Sequence, residues 1–99
     1  MECLTNLFEY GSNEHGHWCK NKVTGLIEQW NKGNIGFPAG DNTVTLPISF
    51  SDKYYTIIVI SGNMSANSNV SAQTLTPNTF SLKHDFTKMN KVYWYARGY

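Results

Sequence analysis

The sequence predicts an all-β domain, a small antiparallel β-sandwich of about six to seven short strands, on three observations. Apolar residues recur with a period of two, the mark of strands with one buried face. Clusters of Gly, Asn, Ser and Pro interrupt them as turns, and no stretch carries a helical period. Runs this short and this closely spaced suit two stacked sheets rather than one.

Residues 1–16, with Gly11-Ser12-Asn13-Glu14 and a weak apolar patch at Leu4, Leu7 and Phe8, read as a connector, and residues 17–99 as the domain. Strands are predicted at about 17–21 and 24–31, and the clearest at 43–50. There Val44, Leu46, Ile48 and Phe50 point one way, and Thr43, Thr45, Pro47 and Ser49 the other. Pro47 cannot donate to a ladder, so this strand belongs at an edge or carries a bulge. Strand 54–61 is apolar on both faces, with Tyr55, Ile57 and Val59 against Ile58 and Ile60. After strands at about 70–75 and 79–84, the last strand, 91–99, repeats that feature: Val92, Trp94 and Ala96 form one row, and Tyr93, Tyr95, Arg97 and Tyr99 the other. Doubly apolar strands either lie centrally in a sandwich or bury a second face against another subunit.

Antiparallel succession sorts the connections. Short turns near 22–23, 51–53 and 76–78 fall at one end, and the long loops at about 31–42, 62–69 and 85–90 at the other. Long loops gathered on a rigid scaffold are where binding surfaces sit. The same alternation starts the first strand at the long-loop end, so the chain would arrive beside those loops.

A chain of 99 residues makes one domain with one modest core. Eight Lys and Arg against seven Asp and Glu, all scattered, give no field for a polyanion, which excludes nucleic acid as the expected partner. Cys3 and Cys19 fit neither zinc nor dithiol spacing and read as reduced thiols. An acidic start without a long apolar run predicts neither a signal peptide nor membrane insertion, and hence synthesis in a cytoplasm.

An ordered series of motifs goes further: Trp18, then Gly25-Leu26-Ile27-Glu28-Gln29-Trp30, then Val44-Thr45-Leu46-Pro47-Ile48-Ser49-Phe50, and finally Tyr93-Trp94-Tyr95-Ala96-Arg97-Gly98-Tyr99. In order, spacing and terminal position this series resembles the C-terminal head domains of phage and prophage tail fibres. Glu28 and Arg97 stand where that family is usually apolar, and Asn31 where it has Gly. The resemblance implies a parallel homotrimer joined to an upstream fibre shaft in a virion tail fibre, recognising a bacterial surface glycan or protein. It also places Trp18, Trp30 and Trp94 at recurring positions, so these, with Ile58, Ile60, Tyr93 and Tyr95, are expected in the core or the trimer interface.

Residues able to meet uncharged sugar hydroxyls lie in the long loops: Asn63, Asn67 and Asn69 in the second, Asn34 and Phe37 in the first, Phe86 and Lys88 in the third. These seven are the candidate ligand-binding residues, and no cofactor is required. His15-Gly16-His17 is the metal-like feature. Repeated on three chains it would offer six imidazoles, and some tail-fibre tips hold metal through such pairs. The acids are dispersed and no nucleophile motif is present, so no enzyme is expected. The reading is host recognition at a fibre tip. Its alternatives are a free-standing trimeric module resembling H-type lectins, and a structural cap of the fibre.

Overall fold

The structure, a computed structural model, describes residues 7–33, 36–62, 70–84 and 90–99. Among these the fold is antiparallel β throughout, with nine strands: β1 (Phe8–Asn13), β2 (Gly16–Asn21), β3 (Ile27–Trp30), β4 (Gly36–Phe37), β5 (Gly40–Thr45), β6 (Thr56–Ser61), β7 (Val70–Thr76), β8 (Thr79–His84) and β9 (Asn90–Gly98). The first sheet runs β1-β2-β3-β9, with β4 and β6 also paired to β9; the second runs β5-β8-β7. Strand register alternates each residue between the faces, so Ile27, Val92, Trp94 and Ala96 of the first sheet meet Val44, Phe80 and Leu82 of the second. Phe80 is fully buried and meets Trp94 edge to face at 5.4 Å, a contact between the sheets.

Four features differ from the sequence reading. Residues 8–13, expected within a connector, form β1, paired with β2 from Phe8↔Asn21 to Asn13↔Gly16. Phe8 and Tyr10 lie on the outer face of the sheet, so their alternation belongs to no core pattern. Second, β5 is an edge strand, but it starts at Gly40 and stops at Thr45, before Pro47. The proline ends the strand rather than bulging it, and residues 46–50 cross the core with Leu46, Pro47 and Phe50 all buried. The main-chain N–H groups of Leu46 and Phe50 donate to the Asn78 and Pro77 carbonyls at 2.8 Å. Third, β3 is shorter than expected because residues 21–26 form a turn in which the Asn21 side chain accepts from Val23 and Thr24 N–H. Fourth, the first long loop carries the short strand β4.

Two buried amides hold the sheets where the ladder fails. Gln29, fully buried, donates from Nε2 to the Ile48 carbonyl at 3.0 Å and accepts the Ile48 N–H at 2.9 Å, giving the crossing segment the partner a strand would have supplied. Asn31 does the same for β9. Its amide bonds the Val92 carbonyl (2.8 Å) and the Trp94 N–H (3.2 Å), between the stretch paired with β3 and the stretch paired with β4.

Tyr55 closes the opposite side, stacked on Phe50 at 4.5 Å with its hydroxyl donating to the Thr79 carbonyl at 2.7 Å. Burial pushes its phenol from 10.0 up to about 12. The folded chain therefore holds this proton more tightly than the unfolded chain. The resulting stability is fully present below pH 10 and is lost as pH rises through about 12. Tyrosinate absorbance is expected to show a late step near that pH, and Tyr55→Phe to remove it; a titration unchanged by the substitution would contradict the assignment.

Candidate functional site: a loop-bearing end and an apolar sheet face

Strand register places the roots of three connections at one end of the sandwich. Gly36 and Phe37 pair with Lys91 and Asn90 at the start of β9, and Gly62, at the end of β6, donates its N–H to the Lys91 carbonyl at 2.5 Å. In the second sheet Gly40, Val70 and His84 share one register, so β8 ends there and β5 and β7 begin there. His84 ties the two groups together: it is buried, and Nε2 lies 2.6 Å from the Phe37 carbonyl. A carbonyl only accepts, so Nε2 carries the proton. The opposite end holds Phe8, Asn21, Gly98 and Tyr99. The extra strand β1 thus reverses the expected geometry: at Phe8 the chain lies away from the loops, not beside them.

Of the candidate ligand residues, Phe37 alone is described. It is half-buried against the core, and shares a groove with Asn31, Thr43, Thr45 and Trp94. Asn34, Asn63, Asn67, Asn69, Phe86 and Lys88 lie outside the described residues.

The aromatic and aliphatic candidates divide cleanly between two faces. Trp94 is core, and Trp18 is half-buried on the same inner side, its indole lying so close over Gly11 that any Cβ there would meet the ring at 2.5 Å. Trp30, Ile58, Ile60, Tyr93 and Tyr95 occupy the outer face of the first sheet, where Ile58 and Ile60 are 54% and 60% exposed. Among the described residues these second strand faces are not enclosed. The outer face of the second sheet bears Asp41, Thr43, Ser81, Lys83, Ser71 and Gln73 instead. One sheet is ordinary surface; the other is apolar where water should be.

Sequence reasoning missed two members of that apolar face, Tyr10 on β1 and His17, whose ring stacks on Trp30 at 5.9 Å. It also carries polar groups: Glu28 accepts the Tyr95 hydroxyl at 2.5 Å. Burial, then Glu28 as acceptor and as a nearby negative charge, push the Tyr95 phenol up; Arg97 opposes this. Burial and the Glu28 charge likewise raise the Cys19 thiol, which a hydrogen bond with Tyr10 partly offsets.

His15 sits in the β1–β2 turn, 3.6 Å from Glu14. His17 lies on β2 with its ring against Trp30. Among the described residues no group of three or more His, Cys, Asp or Glu side chains could hold a metal.

Comparison with known proteins agrees with this architecture. The family model described as tail fiber protein gp53-like, C-terminal, matches residues 21–99. A solved R2 pyocin fiber of P. aeruginosa superposes with a TM-score of 0.70 at 21% identity, over 93% of this chain and 26% of that one. An N-truncated R1-type pyocin tail fiber superposes at 0.65 with 23% identity, over 93% of this chain and 85% of that one. At these identities the likeness shows the fold. The chain spans about a quarter of the R2 fiber chain that it matches. No curated protein matches the sequence.

Proposed function

Since this chain belongs to the gp53-like family of tail fiber C-terminal domains, we propose that it is the receptor-recognition tip of a phage or pyocin-like tail fibre, working as a parallel homotrimer. The observation that carries the reading is the polarity of the fold: three connections root at one end of a rigid sandwich while Phe8 lies at the other. A shaft joined ahead of β1 would leave the end at which those connections root facing outward. Residues 34, 63, 67, 69, 86 and 88, all in these connections, offer amide, hydroxyl, aromatic and ammonium groups suited to a surface glycan or a polar protein surface. The apolar face of the first sheet supports the trimer, since Ile58, Ile60, Tyr93 and Trp30 bury their surface only when covered by neighbours. Three shallow sites on one tip gain by avidity, so each contact need only be weak.

Replacing residues 63–69 by a Gly-Ser segment of equal length is expected to abolish binding of the labelled protein to intact bacteria and to envelope polysaccharide. Oligomer mass and thermal midpoint should remain unchanged, because the replacement leaves every residue of β6 (Thr56–Ser61) and β7 (Val70–Thr76) in place. Combined replacement of all three connections with undiminished cell binding would favour a structural cap instead.

A further inference from the structure

We propose that Glu28 and Arg97 form an ion pair between neighbouring copies of this chain, Arg97 of one copy meeting Glu28 of the next, and that this pair sets the register and partner choice of the assembly. This rests on the homotrimer reading and adds to it a residue-level rule for which chains associate. Three observations lead there. Glu28 and Arg97 lie opposite each other in the β3–β9 register, on the outer face of the first sheet, in a row with Tyr10 and Cys19. Thr56 lies across from Arg97 at the start of β6, and the next rows of the face are Trp30, Tyr95 and Ile58, then Tyr93 and Ile60, so the two charges border an apolar surface. Yet they are not joined within the chain: Glu28 Oε2 takes the Tyr95 hydroxyl, and Arg97 makes no ion pair among the described residues.

Covering this face with a purely apolar partner would strip water from the carboxylate and the guanidinium together, and two neighbouring charges do not repay that cost unless further partners reach them. A second copy brings its own carboxylate, held in place by Tyr95 and with Oε1 still able to accept. Carrying both signs on one face, the chain is complementary to itself, and a chain with apolar residues at both positions would be rejected. Arginine suits the role because its planar fork reaches a carboxylate with two donors.

The test compares the unaltered protein with Glu28→Arg, Arg97→Glu and the double reversal, following oligomer mass by native mass spectrometry over a dilution series. Each single reversal is expected to raise the concentration for half-dissociation by about tenfold or more, corresponding to the loss of one close charge pair per interface. The double reversal should recover most of this loss. Mixing the two single variants should recover association in part, because in a ring of three at most two of the three contacts can then oppose unlike charges. Glu28→Gln and Arg97→Gln, checked by thermal melting, provide milder variants should a reversal unfold the chain. Single reversals that assemble normally, or a mixture that associates no better than either single variant alone, would overturn the ion pair while leaving the trimer standing. An unaltered protein that stays monomeric at high concentration would overturn the trimer reading itself.

Discussion

Gln29→Ala is expected to destabilise the fold by about 3 kcal/mol, more than most polar-to-alanine changes, because it leaves two main-chain groups without partners at once. The Gln29 amide meets both the N–H and the carbonyl of Ile48, and no strand runs beside residues 46–50 to take them over. The deleted side chain also leaves a void between the sheets, since Gln29 is fully buried. Thermal unfolding should report a midpoint lower by roughly 12–24 °C. Gln29→Leu keeps the volume and strands the same two groups, so it should lose nearly as much. A leucine variant of unchanged stability would show that packing, not hydrogen bonding, is what Gln29 supplies.

Gly16→Ala should cost a similar amount by a different route, about 4 kcal/mol. Gly16 has φ +147°, outside the range that L side chains favour, and an added Cβ would stand 2.3 Å from the Trp30 carbonyl oxygen. That neighbour is backbone, so relief requires β2 to move away from β3. The displacement would carry His17 off Trp30 and disturb the face through which subunits are proposed to meet. Weakened assembly together with a lower midpoint is therefore expected from native mass spectrometry and calorimetry. A midpoint within a few degrees of the unaltered protein would contradict the geometry.

How much of this was legible beforehand depends on which interaction dominates at each position. The rows Val92-Trp94-Ala96 and Ile57-Val59 could be read from alternation, since burial of one strand face is a property of the strand itself. The common end of the three long connections followed from antiparallel succession and is what the pairings of Gly36, Gly62, Val70 and His84 show. Strand β1 was illegible because its apolar residues face outward. The fate of Pro47 was half legible: inability to donate predicts an interruption, but not whether the chain bulges or leaves the sheet.

By itself the sequence determined the all-β class, the inward rows, the family and the excess of apolar faces, because each is local or carried by ordered motifs. Tertiary structure alone decided that the second rows of β6 and β9 are uncovered among the described residues, and that Trp18 and Trp94 turn inward while Trp30 turns outward. It also decided that Gln29 and Asn31 act as substitute strand partners, and that Glu28 and Arg97 stand side by side. The physical reason is that a strand's period assigns residues to two faces without saying what lies over either. That depends on which strands pair and which sheets stack, and those are contacts between residues far apart in the chain.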